Sequence, residues 1–153
     1  MVHLGEFVSE ATILPALRDS TLRAVLGEMV AVLVRSGAVA GKGSELLAGL
    51  EQREEIMSTG LGGGIAIPHA WAHDVTRVAI AVGRSAGGVD YRALDGNPVH
   101  IVFLLASPEE DPWRHLQILA RISGLLRTPG VKDGILGAPD AREIHAQIVR
   151  HDR

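Results

Sequence analysis

The sequence predicts a single α/β domain whose sheet carries helices on both sides. Two stretches, 77–84 and 99–106, are rich in β-branched residues and almost continuously apolar, which is typical of strands covered on both faces. Amphipathic patterns with helical spacing precede and follow these stretches. The length of 153 residues fits one domain, so we expect residues 1–153 to form it.

The first half of the chain contains two predicted helices and a glycine-rich segment. Apolar residues recur at helical spacing over 22–34, and a second helix is predicted from Ser44. The glycine cluster 60–64 then predicts a loop, because glycine disfavours regular structure. We expect this loop to lead into a short strand at 65–67.

The second half of the chain contains further turns and helices. Turn residues follow the first apolar stretch and surround a short strand predicted at 89–91. A helix is predicted over 112–127, because Asp111 can cap it and a proline occupies its first position. A short helix at 131–136 and a terminal helix over 139–148 complete the predicted elements.

The composition excludes several classes of protein. A net charge of −3 and an aromatic content of 3% lack the basic surface and stacking platforms of a nucleic-acid binder, so we expect no nucleic-acid partner. The chain has no cysteine, which excludes disulfide frameworks, thiolate metal centres and thiol catalysis. The N-terminal segment lacks the pattern of a secretion signal, and the longest apolar runs are strand-sized. We therefore expect a cytoplasmic protein that is not embedded in a membrane.

His69 is the histidine whose sequence surroundings point to chemistry. It follows Pro68 and comes shortly after the glycine cluster 60–64, whose backbone N–H groups can approach an anion. Near pH 7 an unperturbed imidazole is mostly neutral and nucleophilic, which suits phosphoryl transfer. The residues alone also allow His69 to be an ordinary loop residue beside a glycine turn.

Two further residues are candidates for assisting His69. His115 lies in the first turn of the helix predicted at 112–127 and shares a face with Leu119 and Ile122, near the positive end of the helix. It is either a structural histidine or a group that helps to bind an anion. Arg53, toward the end of the second helix, is either a solvated charge or a guanidinium directed at a phosphate.

A metal site is a weaker hypothesis. His69 and His73 are four residues apart and Asp74 follows, but no glutamate of an H-E-x-x-H pattern lies between the histidines. We therefore expect no metal and no bound cofactor, and keep a metal-dependent hydrolase as an alternative. His100 lies inside an apolar stretch and is expected to be structural.

The combination of these residues resembles a known family. Arg53, the stretch 58–69 (STGLGGGIAIPH) and, further along the chain, His115 with Leu116 closely resemble the mannitol/fructose-type enzyme IIA domains of the bacterial phosphoenolpyruvate-dependent phosphotransferase system. Within that family the resemblance is strongest to the nitrogen-regulatory enzyme IIA proteins. It covers nearly the whole chain and implies a single α/β domain with a mixed β-sheet flanked by helices.

The resemblance also implies a function. His69 matches the histidine that accepts a phosphoryl group from the phosphocarrier HPr or its nitrogen-branch homologue, and His115 and Arg53 match active-site residues. The recipient would be an enzyme IIB or a regulatory target protein. The alternative is a regulatory binding module whose phosphorylation or anion occupancy controls its protein contacts. In the glycine-rich stretch, the expected phosphoryl-binding residues are Ser58, Thr59, Gly60, Gly62, Gly63 and Gly64.

The chain departs from the family pattern at two places. Gly63 stands where the family commonly has asparagine, and Ala70 and Trp71 follow the histidine where the family commonly has glycine. We expect the first change to remove a side-chain amide near the phosphoryl group. The second adds an indole to the surface that a partner protein meets.

Overall fold

The computed structural model describes residues 2–152, which build a mixed six-stranded sheet with helices against both faces. Two short 3₁₀ helices, Leu4–Glu6 and Glu10–Thr12, come first. The elements that follow are β1 (Ile13–Leu14), α1 (Leu22–Arg35), α2 (Ser44–Ile56), β2 (Gly60–Gly62), β3 (Ile65–Ala66), β4 (His69–Trp71), β5 (Ala79–Val89), β6 (Val99–Ser107), α3 (Pro112–Arg127), α4 (Val131–Gly137) and α5 (Ala141–His151).

Strand β6 organises the sheet. The strand order is β1, β5, β6, β3, β2, and β4 also pairs with β6. β5 is antiparallel to β6, whereas β3 and β4 both run parallel to it along its other edge. Ile65 lies opposite Ile101 and His69 lies opposite Leu105, so β3 and β4 form one interrupted strand. His69 therefore lies near the carboxyl end of β6.

The two faces of β6 enter two different apolar cores. Val102 and Leu104 pack with residues of α1 and α2, and Phe103 and Leu105 pack with residues of α3, α4 and α5. Successive side chains of a strand point to opposite faces, so a strand buried on both faces reads as a continuous apolar run. The prediction of an α/β fold with helices on both sides of a mixed sheet is confirmed.

Helix α3 has the bounds that the sequence predicts. The side chain of Asp111 accepts a hydrogen bond from the backbone N–H of Arg114 at 3.0 Å, and Pro112 occupies the first helical position. Among residues 2–152, no helix combines the length and apolar character that crossing a membrane requires.

Four parts of the sheet differ from the sequence prediction, and one of them is strand β4, His69–Trp71, which was not predicted. β5 continues to Val89 across an irregularity after Arg84, where a separate strand at 89–91 was predicted. The glycine cluster begins as strand β2, because Gly60–Gly62 pairs with β3. β1 was not predicted, because two residues carry no periodicity and their pairing with β5 is a tertiary contact.

Candidate active site

Three elements bring His69, His115 and Arg53 to one end of the sheet. His69 begins β4 beside the carboxyl end of β6, and His115 lies in the first turn of α3, which follows β6. Arg53 lies in the last turn of α2, which packs against β4. The structure thus brings together the three residues that the sequence proposed for the chemistry.

The ring of His69 is held in one tautomer. Its Nδ1 atom lies 2.8 Å from the carbonyl oxygen of Ile67, and a carbonyl can only accept a hydrogen bond. Nδ1 therefore carries the proton, and in the neutral ring Nε2 keeps a free lone pair. Burial lowers the pKa of His69, the hydrogen bond to Ile67 opposes this shift, and the charge of Arg53 lowers the pKa further. The half-buried ring is therefore a neutral nucleophile near pH 7.

His115 is a buried neutral imidazole beside His69. The two ring centroids are 5.7 Å apart, and His115 is only 1% exposed. Its Nδ1 atom lies 2.7 Å from the hydroxyl oxygen of Ser107, the last residue of β6. Burial lowers the pKa of His115 to about 4, and the neighbouring His69 adds to the shift. Its Nε2 atom is buried and has no hydrogen-bond partner among residues 2–152.

Trp71 covers His115. The indole packs edge-on against the imidazole at a centroid distance of 4.9 Å, and 47% of the tryptophan remains exposed. The side chain of Ala70 faces α2, because a methyl group built on Gly49 of that helix would lie 3.4 Å from the Cβ atom of Ala70. The side chains of His69 and Trp71 point to the opposite face of the strand, where both rings lie near His115. The sequence reasoning missed both Trp71 and Ser107 as neighbours of His115. The alternation of β-strand side chains is the signal that could have placed Trp71 beside His69.

Arg53 has hydrogen-bonding capacity left for a ligand. Its Nη1 atom donates to the carbonyl oxygen of Met57 at 2.7 Å, which anchors the guanidinium at the end of α2. A guanidinium has five N–H donors, so this contact leaves others free to bind an anion. Its positive charge lowers the pKa of His69, so the two groups interact electrostatically.

Ser58 and Thr59 mainly hold the chain between α2 and β2. The backbone N–H of Thr59 donates to the carboxylate of Glu54 at 2.9 Å, and its hydroxyl lies between that carboxylate and the hydroxyl of Tyr91. The Ser58 hydroxyl accepts the N–H of Gly60 at 3.0 Å. Both donor groups of Thr59 are therefore already used within the protein. In the free protein, Thr59 therefore has no hydrogen-bond donor left over for the phosphoryl group that it is expected to bind.

The glycine turn lies away from His69. The carbonyl oxygen of Gly64 accepts the backbone N–H groups of His100 and Ile101 in β6, whereas His69 lies opposite Leu105. Four residues along a strand correspond to about 13 Å. The backbone of Gly64 therefore lies away from the His69 ring, and the expectation that Gly62, Gly63 and Gly64 bind a phosphoryl group stays a prediction.

The glycines of this turn make other contacts within the protein. The N–H of Gly63 donates to the carboxylate of Asp95 at 3.1 Å, and its carbonyl oxygen accepts from Lys132. A methyl group built on Gly60 would lie 2.8 Å from the Cα atom of Ala93, so this glycine permits close packing.

The residues of the metal hypothesis have separate partners. His73 contacts the carboxylate of Glu109 at 3.2 Å. Asp74 accepts the N–H groups of Glu45 and Leu46 at the start of α2. Within residues 2–152, no group of three or more histidine, aspartate or glutamate side chains is arranged to hold a metal ion.

The arrangement around His69 can accept and hold an anionic group. A lone pair on Nε2 is available for attack, a guanidinium lies nearby to balance negative charge, and a buried neutral imidazole lies beside the ring. Such preorganised charge and hydrogen bonding is what phosphoryl transfer requires of a protein.

Comparison with known proteins points to one family. A family model described as "Phosphoenolpyruvate-dependent sugar phosphotransferase system, EIIA 2" matches residues 6–151. The chain is 39% identical over 152 residues to the PTS system fructose-specific EIIABC component of Bacillus subtilis (strain 168), which covers 99% of this chain but only 24% of that relative. It is 32% identical over 146 residues to the nitrogen regulatory protein of Bradyrhizobium diazoefficiens, which covers 95% of this chain and 94% of the relative.

Among solved structures, the nitrogen regulatory protein IIA-Ntr of Neisseria meningitidis has a similar fold. The TM-score is 0.85 at 27% sequence identity, and the match covers 94% of this chain and 97% of that one.

Proposed function

The chain belongs to the EIIA 2 family of the phosphoenolpyruvate-dependent sugar phosphotransferase system, and from this premise we propose that it carries a phosphoryl group on Nε2 of His69. The observation that supports this most is the hydrogen bond from Nδ1 of His69 to Ile67, which leaves Nε2 as the nucleophile next to Arg53 and His115. The family resemblance points to the same residue.

The transfer step is a displacement between two imidazoles. The lone pair on Nε2 of His69 attacks the phosphorus of a phosphohistidine on the donor protein. The donor's P–N bond breaks, and its electron pair returns to the donor imidazole. The Nδ1–H of His69 stays bonded to the Ile67 carbonyl, which stabilises the positive charge that develops on the ring. Arg53 binds the phosphoryl oxygens, and no metal is needed.

Exposed apolar side chains surround this site and suit a docking partner. They lie on the same segments as the three site residues: at the end of α2, on β4 and near the start of α3. Large apolar side chains that remain exposed on one face mark protein interaction surfaces. We propose that an HPr-like carrier donates here, in the cytoplasm. The residues are Ile56, Met57, Trp71, Trp113 and Leu116.

The relatives support two recipients. The fructose-specific relative is named as an EIIABC component, which favours an enzyme IIB as recipient and a role in sugar transport. The nitrogen regulatory relative matches this chain over 94% of its own length, which favours a regulatory role in which the phosphorylation state controls contact with a target protein.

The direct test is phosphoryl loading from phosphoenolpyruvate through enzyme I and HPr, followed by mass spectrometry. We expect one acid-labile phosphoryl group on the native protein and none on the His69→Ala variant. His100→Ala is a matched control, because Nδ1 of His100 also lies 2.8 Å from a carbonyl oxygen, that of Ser85. This control should load at the native rate. Efficient loading of His69→Ala would refute the assignment.

Loading should be followed by transfer to a recipient. The phosphorylated protein is mixed with a purified fructose-type enzyme IIB, and the label on each protein is measured over time. Rapid transfer supports the transport role. A phosphoryl group that stays on the protein supports the regulatory role.

A further inference from the structure

The buried side chain of His115 has an unpaired nitrogen that calls for a physical reason. Its Nδ1 atom is 2.7 Å from the Ser107 hydroxyl, and its Nε2 atom is buried without a partner among residues 2–152. Buried polar atoms are almost always hydrogen-bonded, and leaving one unpaired costs about 1–3 kcal/mol. The unpaired atom also lies in a ring whose centroid is 5.7 Å from that of His69.

The hydrogen-bond inventory distinguishes the two tautomers of His115. If Ser107 donates its hydroxyl proton to Nδ1, the proton of the neutral ring sits on Nε2, and one buried donor is left unpaired. If Nδ1–H donates to Ser107 instead, the lone pair of Nε2 is unpaired. The hydroxyl proton of Ser107, which is 1% exposed, then also lacks a partner among the described residues. The first arrangement leaves fewer unpaired groups.

We propose that Ser107 is a positioning residue that holds His115 in the Nε2–H tautomer, so that His115 acts as a neutral hydrogen-bond donor to the phosphoryl group. This inference rests on the proposed function of His69. A phosphoryl oxygen on His69 supplies the partner that Nε2–H lacks in the free protein. The donor is thus prepared before the phosphoryl group arrives, which is the arrangement that stabilises developing charge most effectively.

The local strand geometry supports this role for Ser107. Ser107 lies opposite Trp71 in the pairing of β4 with β6, and Trp71 covers the His115 ring. The serine and the tryptophan therefore both contact the same imidazole. The tryptophan packs edge-on against the ring, and the serine sets which nitrogen carries the proton.

The first test reads the tautomer directly. Nitrogen-15 NMR of the histidine rings in the unphosphorylated protein should show the proton of His115 on Nε2. In the Ser107→Ala variant the spectrum should shift toward the Nδ1–H form, and in Ser107→Thr, which keeps the hydroxyl, it should stay close to native. A proton on Nδ1 of His115 in the native protein would overturn the proposal.

The second test measures how fast each variant is loaded from phospho-HPr. We expect Ser107→Ala to load about tenfold more slowly than native, the equivalent of about 1.4 kcal/mol in activation free energy. Ser85→Ala is the matched control, because Ser85 is a buried strand serine whose hydroxyl accepts the N–H of Gly88. It should load like native. Thermal unfolding verifies that each variant is folded.

A double-mutant cycle separates positioning from a general structural effect. If Ser107 acts through His115, then Ser107→Ala added to His115→Gln should slow loading no further. An equal tenfold loss in both backgrounds would show that Ser107 acts by another route and would overturn the proposal. If the native protein loads normally and a folded Ser107→Ala variant loads at the same rate, the inference about Ser107 is overturned. The role of His69 is not affected by that result. Failure of the native protein to load would overturn the proposed function, and the NMR spectra would still decide the tautomer.

Discussion

His69 and His100 make the same local contact but have different neighbours. In each ring Nδ1 lies 2.8 Å from a backbone carbonyl oxygen, and both rings therefore donate from Nδ1 and leave Nε2 outside this contact. Arg53 and His115 lie beside His69. Gly64 and Gly88 lie beside His100. The reactivity that we propose for His69 therefore comes from the charges and donors around its ring, because the tautomer alone is shared with His100.

Replacing Arg53 tests one of these neighbours. The Arg53→Gln variant should fold but accept the phosphoryl group on the order of 10²–10³ times more slowly, because the guanidinium charge is lost. Arg77→Gln is a suitable control, since Arg77 also donates to a carbonyl at a helix end, that of Ser36. We measure loading rates by quenched-flow mass spectrometry. Equal rates for Arg53→Gln and Arg77→Gln would show that Arg53 only caps its helix.

The buried His115 should make stability depend on pH. Its pKa is about 4 in the folded protein and about 6.5 when unfolded, so the unfolded state binds more protons between these values. The contribution of His115 to the free energy of unfolding is therefore complete above pH 6.5 and is lost as the pH decreases toward 4. Between pH 7 and 5 this histidine should account for about 2 kcal/mol of the loss in unfolding free energy.

Urea unfolding of the native protein and of His115→Gln at both pH values measures this contribution. The variant should be less sensitive to pH than the native protein. An identical loss of stability in both proteins would show that His115 is not held neutral by burial.

At the scale of elements, the interrupted strand formed by β3 and β4 positions the site. The break at Ile67 and Pro68 turns the carbonyl of Ile67 toward the ring of His69, while the Pro68 carbonyl accepts the N–H of Leu105 at 3.0 Å. The glycine turn before β3 lies at the other end of this edge. Sequence proximity suggested that glycines and histidine share a site, but the extended chain between them carries them apart.

Substitution within the glycine turn tests this separation. Gly63 has a φ of 67°, which asparagine tolerates better than other non-glycine residues, and a methyl group built on it would lie 3.9 Å from Nζ of Lys132. We expect Gly63→Asn to lower stability by less than about 1 kcal/mol and to leave loading from phospho-HPr at the native rate. A tenfold or greater change in loading would place the turn back in the phosphoryl site.

Sequence reasoning reached the long elements more easily than the short ones. The periodicity of α1 and the cap and proline of α3 are local signals, and both helices lie where they were predicted. β1 and β4 have two and three residues and exist because β5 and β6 pair with them. Strands of that length leave no pattern in the sequence, so only the folded sheet reveals them.

At the scale of the whole molecule, the site is assembled from three elements. Helix α2 lies on one face of the sheet, strand β4 lies within the sheet, and helix α3 lies on the other face. The motif residues His69, His115 and Arg53 could be chosen from the sequence because of their family pattern. Ser107 and Trp71 could not, because their contacts with His115 form only when β4 pairs with the end of β6 and α3 folds back over it.

The most direct test of the central claim is NMR of the phosphorylated protein, with phosphorus-31 and histidine nitrogen-15 signals assigned residue by residue. We expect the phosphorus to be bonded to Nε2 of His69 and the proton on Nδ1 to remain, since Ile67 still accepts it. Phosphorus on Nδ1 of His69, or on His115 or His100, would contradict the proposed chemistry.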